Sequence, residues 1–145
     1  MRGIMRKDYK AYKKVGQIKE FISENLELNI PKEVYASPGV INHIKKRHGK
    51  QFTKKVRDNI IDIVKRIIKT PEYVGIEYDR KNIQAIELVK KIDNIIILLG
   101  LDIDVEDKYI YVATMYPLTE SKLNSRIYRG RLVKIEDIEI KENIL

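Results

Sequence analysis

The chain has 145 residues, 43% of them hydrophobic and 34% charged, with no cysteine and a formal net charge of +8. A length of this order suits one domain, about 68–70% of whose unfolded surface is buried on folding, and this composition excludes a disordered or membrane-embedded protein. The lack of cysteine excludes disulfides, thiol nucleophiles and the usual structural zinc sites, which points to a reducing cytoplasm.

The basic start, MRGIMRKDYKAYKK, has no apolar stretch behind it, so no signal peptide is expected. Charge is uneven along the chain. Residues 1–69 hold 18 Lys/Arg against 7 Asp/Glu, whereas residues 70–145 hold 11 against 14. Within that acidic half, SKLNSRIYRGRLVK (121–134) is a second basic stretch. Two basic segments that folding brings together suit a polyanion. Lys45, Lys46, Arg47, Arg129 and Arg131 are therefore expected to form one positive surface.

In chain order, Tyr12, Val15, Ile18, Phe21 and Ile22 recur at helical spacing and predict a helix over 9–25. A second helix begins at ASPGV, with Ser37 as cap, Pro38 in the first turn and Gly49 as the stop. Phe52, Val56, Ile60, Ile63, Val64, Ile67 and Ile68 then make one long apolar stripe, ended by Pro71. After Pro71 the period changes to two. EYVGIEYD, IQAIELVKK, NIIILLGLDIDV and KYIYVATMY are four strand candidates with short polar connections, hence an antiparallel meander. Thr119 and Gly130 bracket a short final helix. The expected fold is α+β, two to three N-terminal helices packed on a four-stranded antiparallel sheet, within a single domain over 1–145.

Both histidines, His43 and His48, lie on the second helix among Lys45, Lys46, Arg47 and Lys50. At 100° per residue His48 falls inside the apolar arc of Val40, Ile41 and Ile44, and His43 falls beside Arg47. A spacing of five, with no cysteine to complete a set, does not suit a metal, so neither metal nor cofactor is expected. A neutral imidazole beside a permanent cation can accept a proton, and the arginine can hold a phosphate. The plain alternatives are a solvated surface His43 and a His48 packed in the core or closing the helix C-terminus. Glu87 sits in a row with Ile83, Ala85 and Val89, so it needs a partner such as Lys122 or Arg131, or else acts as a tuned base. Thr114 and Tyr116, in alternation with Ala113 and Met115, are placed on the face of Ile110 and Val112. Their hydroxyls could orient a phosphate or simply reflect strand propensity. Arg129 and Arg131 could grip phosphate or form a basic turn.

The pieces YASPGVINHIKKRHG, IIKTPEYVGI, IQAIELVKKIDNIIILLGL, YIYVATMYPLTESKL and YRGRL, in this order, resemble the phage-associated nuclease group whose fold unites barnase, EndoU, the tRNA-cutting colicins and RelE. The resemblance spans about residues 35–132 and leaves 1–34 as a helical extension. It implies a toxin-like endoribonuclease in which the ribose 2′-OH attacks the adjacent phosphate without a metal, leaving a 2′,3′-cyclic phosphate. It carries over onto His43, His48, Glu87, Lys90, Thr114, Tyr116, Lys122 and Arg131. Catalysis is expected from His43, His48, Glu87, Thr114 and Tyr116; helix geometry, and not the resemblance, makes His43 the proton-transfer residue and His48 its support, hydrogen-bonded to a strand residue such as Thr114 or Tyr116. Phosphate binding is expected from Lys46, Arg47, Lys90, Lys122, Arg129 and Arg131. RNA and a cognate inhibitor protein are the implied partners, with no membrane. The alternatives are a basic nucleic-acid-binding module of a mobile element that has lost catalysis, and a protein-binding accessory factor.

Overall fold

A computed structural model describes residues 12–25, 27, 32–79 and 82–138. In chain order the elements are β1 (Lys13–Gln17), α1 (Glu20–Asn25), β2 (Glu33–Ala36), α2 (Val40–His48), a 3₁₀ turn (Gly49–Gln51), α3 (Lys54–Asp58), α4 (Ile60–Lys69), β3 (Tyr73–Asp79), β4 (Asn82–Ile92), β5 (Ile95–Asp104), β6 (Tyr109–Leu118), α5 (Glu120–Tyr128) and β7 (Val133–Lys134). The alternating segment after Pro71 folds as its period requires. β3 to β6 pair in succession, all antiparallel. Asp93 and Asn94, both at positive φ, make the two-residue turn between β4 and β5.

The sheet is not the four-stranded antiparallel one that the sequence predicts. It has seven strands in the order β1-β2-β6-β5-β4-β3-β7, and it is mixed because β2 runs parallel to β6. Three short strands account for the difference. β1 and β2 extend the β6 edge, and β7 covers β3 through Tyr73↔Lys134 and Val74↔Val133. Such strands are too short to carry a legible period, and they form because the meander's edges offer unpaired backbone groups.

Another expectation also changes. The helix predicted over 9–25 is a strand followed by α1 among its described residues. Val15, Ile18 and Ile22 are buried as the apolar spacing implied, but Gly16 is a poor helix residue. A Cβ there would lie 2.9 Å from Ile68 Cγ2. Pairing of β1 with β2 outweighs helix propensity. The stripe from Phe52 to Ile68 is likewise two helices, with the Thr53 hydroxyl accepting from Val56 N and the chain breaking at Asn59, φ −130°. α2 starts after Gly39, two residues later than a helix led by Pro38, and Gly49 leads into the 3₁₀ turn.

The main core lies between one sheet face and α1 to α4, with Ile44, Val56, Val64 and Ile67 against Ile86, Leu88, Ile97, Leu99 and Met115. A smaller cluster lies on the other face, where Leu123 of α5 and Leu132 meet Val89, Leu98 and Leu118. The Thr119 side chain caps α5 as expected, accepting from Lys122 N. This second face carries the candidate site.

Candidate functional site

β2 pairs with β6 only at Val34↔Ile110 and Tyr35↔Tyr111. Past that point the chain turns at Ser37–Gly39 and α2 packs beside β6. Val40 and Ile44 are its buried anchors, which turns His43 and Arg47 outward and leaves His48 half-buried.

The neighbouring strand is adjusted by one residue. Gly100 faces Thr114 while Leu101 faces Val112, so Ala113 is the extra residue of a bulge. Val112 and Ile110 point into the main core. Thr114 and Tyr116 therefore do not share their face, contrary to simple alternation, and look out on the second face instead. His43, Arg47, His48, Thr114 and Tyr116 together line one open groove of about 410 Å³. His43 and Arg47 also border an adjoining groove of about 370 Å³ with Lys46.

The two histidines differ within this groove. The His48 ring packs on Tyr116 at 5.4 Å between centroids, and its Nδ1 lies 3.0 Å from Gln51 Oε1. In that bond the amide oxygen accepts and Nδ1–H donates. The hydrogen bond expected from His48 to Thr114 or Tyr116 is thus replaced by a ring contact and a bond to Gln51. His43 is exposed.

Strand register carries Glu87 into the same layout. Glu87 faces Gly100 and Gly100 faces Thr114, one continuous row on the second face. Two strand spacings, about 10 Å, separate Glu87 from Thr114. Gly100 keeps the floor between them open, since a Cβ there would come within 3.0 Å of Thr114 Cγ2. The partner of Glu87 is neither Lys122 nor Arg131. It is Arg126 of α5, whose Nη1 lies 3.2 Å from Oε2 and 3.4 Å from Oε1. Sequence reasoning passed over Arg126. The available signal was a cation three positions after the buried Leu123, on the inward side of α5.

Lys90 is not part of this group. Strand alternation puts it on the face opposite Glu87 and Val89, where its Nζ donates to Thr70 O at the end of α4. Lys122, Arg129 and Arg131 are exposed. Arg131 N donates to Arg126 O, and a Cβ on Gly75 of β3 would clash with the Arg131 carbonyl oxygen. Gly75 faces Glu87, so Arg131 stands at the β3 end of the row and α2 at the β6 end. The two basic segments do not meet: β4 and β5 lie between them, about 14 Å from β3 to β6.

Beyond this row the second face turns acidic and aromatic. Asp102 lies between Ala85 and Tyr111, with Glu77 facing Ala85. Burial pushes the Asp102 carboxyl above its usual range and the Glu77 charge adds to it, while a hydrogen bond with Tyr111 opposes. Burial, then the Asp104 charge, raises the Tyr109 phenol to about 12. Among the described residues no group of three His, Cys, Asp or Glu could hold a metal ion, and no helix is long and apolar enough to cross a membrane.

No curated protein and no solved structure matches the chain. The family described as phage-Barnase-EndoU-ColicinE5/D-RelE like nuclease3 matches residues 13–125. That span runs from β1 into α5 and takes in the groove, Glu87 and Gly100. The chain therefore belongs to this phage-type nuclease family, which implies a nucleic-acid substrate.

Proposed function

We propose that this nuclease is an endoribonuclease that cuts RNA without a metal ion, by attack of the ribose 2′-OH on the adjacent phosphate. The observation that carries the reading is the groove itself, where His43, Arg47, His48, Thr114 and Tyr116 converge. In the proposed reaction the 2′-oxygen bonds to phosphorus as the bond to the 5′-oxygen breaks and that oxygen leaves as a hydroxyl; His43 transfers a proton with one of these two oxygens, and Arg47 with Lys46 balances charge on the crowded phosphorane. The hydroxyls of Thr114 and Tyr116 orient the phosphate oxygens. His48, oriented by Gln51 and Tyr116, serves as the second proton-transfer group. Glu87, held by Arg126 at the next station of the row, takes the neighbouring ribose, and Lys122, Arg129 and Arg131 guide the strand beyond it. The protein works in a cytoplasm and is restrained by a cognate inhibitor protein. These assignments rest on the family match and on the chemistry of the groove.

The test is incubation of the purified protein with total RNA in EDTA, followed by analysis of product ends. Cleavage with 2′,3′-cyclic phosphate ends is expected. His43→Ala should lower the rate by about 10²–10⁴-fold with RNA affinity and melting temperature nearly unchanged. Dependence on added magnesium would refute metal independence. RNA binding without cleavage, equal in wild type and variant, would establish a binding module instead.

A further inference from the structure

A partly enclosed cavity lies on the other flank of α2. It has a volume of about 420 Å³ and is lined by Lys13, Lys14 and Lys65, by Ser37 and Pro38, and by an apolar floor that includes Ile41 and Ile61. The size falls within the range of small-molecule sites, about 300–1,000 Å³. No carboxylate lines it, and none of the three lysines has an ion-pair partner among the described residues. Three like charges around one enclosed space repel each other, and an anion relieves that repulsion. The N-terminal turn of α2 opens on the same space, with no side chain capping it at Gly39. The floor is different in kind, since Ile41 and Ile61 offer flat apolar surface and no hydrogen bonds.

We propose that this cavity binds a nucleotide unit, its phosphate held by Lys14, Lys65 and the Ser37 hydroxyl and its base against Ile41 and Ile61. The phosphate answers the lysines and the base answers the floor. The volume admits one such unit and not a protein helix, about 10–12 Å across with its side chains. Two sources supply this chemistry, a nucleotide of the RNA strand under cleavage or a free mononucleotide. Ile41 and His43 are two residues, hence about 200°, apart on α2. A strand cut in the groove can therefore cross the exposed turn at Lys45 and seat a flanking nucleotide here. This strand arm rests on the RNA reading; occupation by a free mononucleotide does not.

The experiment is a titration of the full chain with adenosine monophosphate, reading the methyl signals of Ile41 and Ile61 by NMR, with inorganic phosphate as the comparison probe. Both methyls should shift, at a Kd well below that for inorganic phosphate. Lys14→Glu/Lys65→Glu should weaken the response at least tenfold, and His43→Ala should leave it unchanged. Lys14→Met/Lys65→Met gives the same expectation should charge reversal disturb folding. Equal binding by the lysine variants, binding of inorganic phosphate as tight as that of the nucleotide, or stronger shifts with a poly-glutamate peptide would each overturn the proposal. The sources separate by kinetics. A flanking subsite requires the double variant to raise KM for a hexanucleotide with kcat unchanged and to leave a dinucleotide substrate unaffected. Unchanged kinetics of the double variant beside its weakened mononucleotide binding assigns the site to the free nucleotide. The titration stands whether or not the protein cuts RNA, so its failure and that of the nuclease reading are separable.

Discussion

The pairing of Glu87 with Arg126 should be measurable as a coupling energy. At 3.2 Å the attraction of two unit charges is about 5 kcal/mol at an effective dielectric constant of about 20. Desolvation opposes most of that. The side chains are 16% and 21% exposed, so they resemble neither a solvent pair worth under about 1 kcal/mol nor a fully buried one whose loss costs about 3–5 kcal/mol. A net coupling of about 2 kcal/mol follows. Arg126→Met should then lower the melting temperature by about 4–8 °C, since it strands the Glu87 carboxylate beneath α5. Glu87→Gln should cost less, because the amide still accepts from the guanidinium. The combined variant should be more stable than the sum of the single losses predicts. Urea unfolding followed by circular dichroism, on all four proteins, gives the coupling directly. High salt should leave most of it, because a sheltered pair is weakly screened. A coupling under about 0.5 kcal/mol would mean that the two side chains are independent, and the reasoning from register and distance would be wrong.

Gly75→Ala should cost about 1–3 kcal/mol, because its Cβ meets the Arg131 carbonyl rather than a movable side chain; faster amide exchange at Ile135, whose N–H bonds Glu72 O, would locate the damage at β7. Asp102→Asn should stabilise the protein at neutral pH. The raised carboxyl favours the protonated folded state, so its contribution is fully present below the unfolded value of 3.8 and is lost as pH rises through the folded one. Melting curves from pH 3 to 8 should show wild type and variant converging at the acid end, and a gap that widened there would refute the assignment. His48→Ala should cost about 1–2 kcal/mol through loss of the Tyr116 ring contact and the Gln51 bond, as well as activity, whereas Gln51→Ala should cost less than half of that in stability.

The meander was legible because β3 to β6 are long enough for alternation to declare itself, and α5 because Thr119 and Gly130 punctuate it. β1, β2 and β7 were not, since two to five residues hold no period and their pairing partners lie far along the chain. The apolar spacing from Val15 to Ile22 correctly marked buried side chains but not their backbone, because a strand running into a helix can bury the same set. At the site, the helical wheel separated His43 from His48 and found Arg47. It could not find Arg126 as the partner of Glu87, thirty-nine positions away, nor Gln51 as the partner of His48. The first depends on where α5 crosses β4, and the second on the 3₁₀ turn that follows α2 where the sequence predicts only a helix stop. The orientation of Thr114 was misread for a smaller reason, one uncounted residue.

That residue, Ala113, has a consequence for how this chain can vary. Along β6 the odd-numbered and even-numbered positions exchange duties at the bulge, so Ile110 and Val112 belong to the core while Thr114 and Tyr116 belong to the groove. The arrangement is recorded in the number of residues between Val112 and Thr114 more than in their identity. Substitution at Ala113 is a local event; insertion or deletion there reassigns every later side chain of the strand at once, sending Met115 outward and the two hydroxyls into the apolar layer. Among relatives of this chain, length over this stretch should be held more strictly than composition, and a one-residue change in it would mark a different floor to the groove.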